Sequence, residues 1–354
     1  MWRNIILFLI VVIFFNCTNQ NNQGLNLTYN NSLIIDGETH FNNIAQLTFS
    51  GENAEAYFSP DGKKLIFQGH DGEAICDQIY IMDIEKRKID LVSNGQGVTT
   101  CSYFKYPNAN KIIYSSTFLD DSACPPKPDY SMGYVWKLYP GYDIFSADLN
   151  GSNPISLTSS PGYDAEATYS FDGNKIIYTS LNSGDLELWT MNSDGTDKEQ
   201  LTDKLGYDGG AFYSHDGSKI IWRAYYPQTE KEISDYKYLL SDNSIRPMAL
   251  QLWVMNADGS NKKQITNNGS ANFGPFFFPE DNKVIFSSNM HDPKRRDFDL
   301  YSVNIDGSRL ERITYFDGFN AFPMFSPNGK CLSSHLIEIK RTKETQIYLV
   351  CEWK

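Results

Sequence analysis

The sequence predicts an all-β chain, a six-bladed β-propeller of four-stranded antiparallel blades, on three observations. One phrase is written six times, as "NAEAYFSPDGKKLIFQG", "TTCSYFKYPNANKIIYSS", "YDAEATYSFDGNKIIYTS", "YDGGAFYSHDGSKIIWRA", "NFGPFFFPEDNKVIFSS" and "NAFPMFSPNGKCLSSHL". Each copy runs on into a second phrase such as "DQIYIMD" or "LELWTMNSDG", and most close on a third, "LVS", "SLT", "QLT", "QIT" or "RIT". The runs alternate apolar with polar residues, draw on 22 Tyr and 22 Phe, and are separated by Asp-Gly or Asn-Gly pairs, which is the pattern of short strands joined by tight turns. A length of 354 residues alone would favour about two domains. Stacked repeats share one core, so one domain is expected.

The chain opens on Arg3 and an apolar run of 11 residues from Ile5 to Phe15, too short to span a bilayer and read as a signal peptide over residues 1–16. Cys17 follows, then the polar "TNQNNQGLNLTYNN", and this resembles a bacterial lipoprotein processing site with Cys17 lipidated and residues 17–42 as a flexible tether. Asn16 stands where a small residue is usual, so ordinary secretion with cleavage elsewhere is the alternative. Both readings export the chain, to the periplasm or cell surface, with membrane contact through a lipid anchor only.

Within each blade "YFSPDG" supplies the first strand and a turn, "KKLIF" the second strand, "QIYIMD" the third and "LVS" or "QLT" the fourth. Asp-Gly and Asn-Gly suit such turns because Gly adopts positive φ freely and Asp or Asn tolerates it. The last copy lacks its third phrase, but "NNIAQLTFS" precedes the first blade, so residues 43–49 are expected to complete the last blade and close the ring. The blades then span about 51–93, 97–158, 162–202, 206–266, 270–314 and 318–353 plus 43–49. The repeat "SPDGKKLIF…IYIMD" and "DGNKIIYTS…LELWTMNSDGTDKEQLT" resembles the TolB-like family of periplasmic propellers. That resemblance covers residues 43–353 and implies the fold, while leaving scaffold and peptidase-accessory roles both open. Blade six departs from it, with "CLSSHL" where the others read "KIIY".

Counting eight residues back from each turn gives Asn53, Thr100, Asp164, Asp208, Asn272 and Asn320, a polar set expected to ring one mouth of the channel. Glu55 and Glu166, two residues on, should share that face on period-2 grounds. Asp164, Glu166 and Asp208 would concentrate carboxylates there, a possible divalent-cation site, with no other cofactor expected. The turn positions lie 47, 64, 44, 64 and 48 residues apart, so blades two and four each carry an insertion of roughly twenty residues. These insertions, 118–142 and 225–249, fall between second and third strands and should flank blade three, above Tyr163 and Tyr207. Residues 230–240 are expected to form a short helix.

The formal charge of −12 becomes about −13 without residues 1–16, whose only charge is Arg3, and no basic cluster stands out. Nucleic acid is therefore excluded as a partner class. His70, His215, His291 and His335 show no metal-ligand spacing, and neither Gly-x-Ser-x-Gly nor His-Glu-x-x-His occurs. Export favours disulfides. Cys331 and Cys351 fall opposite each other if the last hairpin turns around Arg341, and any two of Cys76, Cys101 and Cys124 could pair. The function expected is a non-enzymatic scaffold binding an envelope protein or peptide, the alternative being an enzyme or a peptidase- or glycan-processing accessory subunit.

Overall fold

The computed structural model describes residues 27–70, 76–131, 133–337 and 344–353 and contains six four-stranded antiparallel sheets. Blade one runs from Glu52–Phe58 to Lys88–Leu91, blade two from Thr99–Phe104 to Ile155–Ser156 and blade three from Asp164–Tyr169 to Glu199–Gln200. Blade four runs from Tyr207–Tyr213 to Lys263–Gln264 and blade five from Asn272–Phe277 to Glu311–Arg312. Blade six takes Phe319–Phe325, Cys331–Ile337 and Gln346–Cys351 from the chain's end and its outer strand, Asn43–Gln46, from the beginning. The ring is closed as expected, with Asn43 opposite Cys351 and Gln46 opposite Tyr348. The departure "CLSSHL" does not disturb pairing, since Cys331–Ile337 is registered against both neighbours. The expected signal peptide at 1–16, the expected lipidation site Cys17 and the turn expected at Arg341 lie outside the described residues.

The repeated words have local causes. In "SPDGKK" the Ser59 hydroxyl accepts the Lys64 amide proton at 2.9 Å and donates to Asp61 at 2.6 Å, while Gly62 takes φ 69°. That side-chain-closed turn fixes strand register, and Ser170 with Asp172 and Ser214 with Asp216 repeat it. The closing Ser or Thr of the third phrase works likewise. Ser93, Thr158, Thr202, Thr266, Thr314 and Thr48 each accept a main-chain amide proton from the third strand, at 2.8–3.0 Å. A side chain thus adds a rung to outer strands that are only two residues long in blades two to five.

Packing between blades follows from strand alternation. Aliphatic and aromatic residues such as Phe58, Phe104, Tyr169, Trp222, Phe277 and Phe325 are fully buried, each worth ~1.5–3 kcal/mol relative to exposure. A hydrogen bond spans every junction: the amides of Asn53, Thr99, Asp164, Asp208, Asn272 and Asn320 donate to the carbonyls of Thr345, Asp77, Tyr142, Leu186, Leu250 and Phe298, at 2.9–3.2 Å.

The expected tether requires a correction at its end. Residues 27–42 are folded against the ring, with the Asn30 amide donating to the Ile44 carbonyl at 2.7 Å. Buried Glu38 accepts from the amides of Ile35 at 2.9 Å and Tyr315 at 3.1 Å. Its polar composition hid a segment whose carboxylate caps loop backbone. Cys331 and Cys351 are directly opposite and bonded, Cys76 is bonded to Cys124, and Cys101 is the free cysteine among the described residues.

The two insertions do more than flank blade three. Trp136–Lys137 of the first pairs with Ser244–Ile245 of the second as a two-stranded antiparallel ribbon. The helix is present as Glu230–Ser241, started by a capping box in which Thr229 and Glu232 bond each other's amides. Its Tyr236 hydroxyl lies between the Asp185 carboxylate and the Gly206 carbonyl, which pins the insertion to the junction of blades three and four.

Candidate functional site

All six inner strands carry the same irregularity. Their register shifts midway, and the residue at the shift takes a left-handed backbone: Glu55 (φ 56°), Cys101 (52°), Glu166 (58°), Gly210 (60°), Gly274 (50°) and Phe322 (51°). A bulge turns one residue out of alternation, and these six positions line the channel. Two residues further on, Tyr57, Tyr103, Thr168, Phe212, Phe276 and Met324 form the next ring. Tyr57 of blade one meets Tyr103 and, across the axis, Phe212 of blade four, both at 5.5 Å between ring centres. Aromatic rings thus plug the channel, leaving a void of about 30 Å³ between the two layers.

The bulge corrects the expected polar ring. Asn53, Asp164, Asp208, Asn272 and Asn320 turn into the blade junctions, where they are buried. Asn53 donates to the carbonyls of Ser50 and Thr345 at 2.9 and 3.3 Å, Asn272 to Leu250 at 2.6 Å and Asn320 to Phe298 at 3.2 Å. Asp164 accepts from Ser160 at 2.5 Å. In blade two the equivalent residue is Thr99, not Thr100, because that turn is one residue longer; the Thr100 hydroxyl bonds Gln68. Only Glu55 and Glu166 of the expected carboxylates face the cavity, so Asp164, Glu166 and Asp208 form no common site.

Asp208 has a different partner. Its Oδ1 accepts from Trp222 Nε1 and the Tyr226 hydroxyl, each at 2.6 Å, while Oδ2 meets Glu187, whose Oε2 is likewise buried without another donor. Two facing acceptor oxygens require a shared proton. Burial raises both carboxyls well above ordinary values, with repulsion from Asp208 and Asp185 adding to it at Glu187 and repulsion from Asp185 at Asp208. Raised carboxyl pKa values give stability that is complete below the unfolded-state pKa and is lost as pH rises through the folded values. We therefore expect the melting temperature of the protein to fall between about pH 5 and about pH 8.5, and that of Glu187→Gln to fall less. Parallel thermal-shift curves would refute the shared proton.

Above the channel, the ribbon of the two insertions roofs a cavity of about 840 Å³. Its walls are aromatic: Tyr142 against Tyr163 at 5.6 Å, Trp136 against Phe273 at 5.6 Å, and Phe273 stacked on Phe298 at 5.0 Å. Tyr163 and Tyr207, expected from sequence, line it. Cys101, a disulfide candidate from sequence, stands at its floor as a free thiol, whereas Arg223 at the floor and Trp136 in the roof were not anticipated. For Arg223 a signal exists: the fifth residue of the second strand is Gln68, Ser115, Thr179, Ser287 or His335 in the other blades, so a guanidinium there stands out.

Arg223 forms a buried ion pair with Glu166 and donates from Nε to the Tyr207 hydroxyl at 3.1 Å. The Tyr207 hydroxyl donates to Glu166 at 3.0 Å, and Thr179 and the Gly210 amide add bonds of 2.9 Å each. Burial opposes the charge of Arg223, and Glu166, Tyr207 and Glu55 together more than offset it, so its pKa is raised. Here the change from "YDAEA" to "YDGGA" finds its reason. A Cβ at Gly209 would fall on Glu166 and Tyr207, and one at Gly210 on the Arg223 guanidinium. Glu55 differs from Glu166. It has no ion-pair partner among the described residues, and burial, with repulsion from Glu166 and Asp77, outweighs the distant Arg223 and raises its carboxyl to about 7. Burial and repulsion from Glu55 and Glu166 push the Cys101 thiol well up, so it stays protonated.

Histidines stand elsewhere: His70 pairs with Asp77 at 2.6 Å, His215 with Asp281 at 2.7 Å, and His291 lies 3.3 Å from Asp299. Among the described residues no three His, Cys, Asp or Glu side chains gather as a metal would need. No helix there is long and apolar enough to cross a membrane.

No protein-family model matches the chain. Solved structures resemble it along most of its length. A protein assigned as TolB from Agrobacterium tumefaciens is 19% identical, with a TM-score of 0.54, over 85% of this chain and 90% of that one. TolB from Acinetobacter baumannii is 19% identical, with a TM-score of 0.54, over 86% of this chain and 65% of that one. An oligogalacturonate lyase in complex with manganese is 14% identical, with a TM-score of 0.53, over 92% of this chain and 96% of that one. Six four-stranded blades closed by the N-terminal strand, together with these likenesses, give the chain the TolB-like propeller fold.

Proposed function

We propose that the protein is a non-catalytic scaffold of the bacterial cell envelope that takes a segment of a partner protein or peptide into the roofed cavity. One observation carries this reading: the two insertions that lengthen the repeat pair with each other over the mouth and leave about 840 Å³ walled by aromatic rings. A blind, largely apolar cavity with a few polar groups at its floor is built to bury and orient a ligand. Two disulfides and the apolar run from Ile5 to Phe15 support export, and Cys17 supports anchoring by lipid. The acidic surface supports a protein rather than a nucleic acid as partner.

Trp136 reports on occupancy because it forms the roof. Fractionated peptides from a digest of envelope proteins are expected to change Trp emission in the protein but not in Trp136→Phe, and to be recovered with unchanged masses. A second reading rests on Glu55, a cavity carboxyl raised to about 7 and so suited to general acid–base work. Recovery of cleaved peptides, or cleavage of oligogalacturonate that is lost in Glu55→Gln, would replace the scaffold with an enzyme.

A further inference from the structure

The cavity floor holds two carboxylates and one guanidinium, and the guanidinium is already committed. Glu166 receives Arg223, Tyr207, Thr179 and the Gly210 amide. Glu55 receives none of these, and its contact is the Cys101 thiol. Lys137 and Arg295 also line the cavity but bond Asp242 and Ser270, so Glu55 keeps no ion-pair partner among the described residues, and a cation beside it would supply one. The walls also accept a cation: the resident Arg223 guanidinium lies 5.2 Å from the Trp136 ring centre and 5.8 Å from that of Tyr207, distances at which a ring face attracts positive charge.

We propose that the roofed cavity holds an alkylammonium group, with the Glu55 carboxylate as counter-ion and the aromatic walls as a cage. This rests on the binding reading above and names the chemistry that the cavity recognises. The group is a primary amine, carried by a lysine side chain or the amino terminus of a partner peptide, or by a free diamine. Glu55 stands at the bulge of blade one, where the left-handed backbone turns it toward the axis. The charged and titratable groups facing it are Arg223, Glu166, Asp77 and the Cys101 thiol, with Tyr57 and Tyr142 beside them. Burial holds part of Glu55 protonated near neutrality, so an arriving ammonium displaces that proton. Affinity therefore rises with pH up to about 7 and binding there releases protons.

The test is calorimetric titration of the intact chain in mild detergent with benzylamine, benzyl alcohol and benzoate, at pH below and above neutrality. Benzylamine is expected to bind about tenfold or more tightly than benzyl alcohol, to lose that preference in Glu55→Gln, and to release protons on the acid side. Amine source is separated by competition with Nα-acetyl-lysine amide, with a peptide before and after N-terminal acetylation, and with cadaverine. Glu55 is half-buried and holds no ion pair among the described residues, so Glu55→Gln should not lower the melting temperature and remains readable. Equal or tighter binding of the alcohol or benzoate overturns the proposal, as does a preference that survives in Glu55→Gln, or no binding of any probe. Peptides that change Trp136 emission yet are not displaced by benzylamine would sink the ammonium assignment and leave the cavity reading standing. Loss of both signals would sink both.

Discussion

A chain that begins at Gly51 is expected to lose most of its stability, whereas one that begins at residue 27 should melt as the full protein does. Residues 43–48 bury Ile44, Ala45, Leu47 and Thr48, and pair along the outer edge of the blade that ends the chain. Phe41 and Glu38 are buried just before them. Two or three large apolar side chains at ~1.5–3 kcal/mol each, with the lost rungs, amount to a large share of the ~5–15 kcal/mol that holds a typical domain. The exposed edge would also invite association. Differential scanning calorimetry should show a melting temperature lower by about 10 °C or more. Phe49→Ala is the control, since Phe49 is 73% exposed and contributes little. Equal melting of the two truncations would remove ring closure as a source of stability.

The second large effect belongs to Arg223. Replacing it by Leu leaves Glu166 buried beside Tyr207 with no cation, and breaking a buried pair from one side costs about 3–5 kcal/mol. The double variant Arg223→Leu with Glu166→Leu should recover most of that loss, because the desolvation penalty disappears with the charge. Chemical denaturation of wild type, both single variants and the double variant completes the cycle. A double variant no better than the single would show that the pair does not act electrostatically.

Much of this architecture is legible in the sequence because each repeated word has a local physical task. The turn Ser and Asp, the Ser or Thr that closes the third phrase and the stray "QLT" near the N-terminus predict blades, order and closure. Cys331 and Cys351 follow from register once the last hairpin is granted. The channel lining was legible only in part. Period-2 reasoning passes straight through a bulge, and the usual mark of a left-handed residue, Gly, is present only at Gly210 and Gly274. At Glu55, Cys101, Glu166 and Phe322 the neighbouring blades impose that conformation, so Asp164 and Asp208 were placed at the mouth when they belong to the junctions. The roof was missed for another reason. Each insertion shows its length and aromatic content, but the pairing of Trp136–Lys137 with Ser244–Ile245 is a contact between distant segments with no repeat behind it.

Ring closure also sets an order of events in time. Ile44 leaves the ribosome among the first residues of the fold, and its partner Val350 among the last, 306 residues later. Blades one to five form from neighbouring segments and can begin at once. Closure of so long a loop is entropically costly and slow. A nascent chain therefore spends its synthesis as an open arc with an unpaired strand at one end and an incomplete blade at the other. A product that stops before Gln346 never leaves that state, and its exposed edges mark it for proteolysis or aggregation.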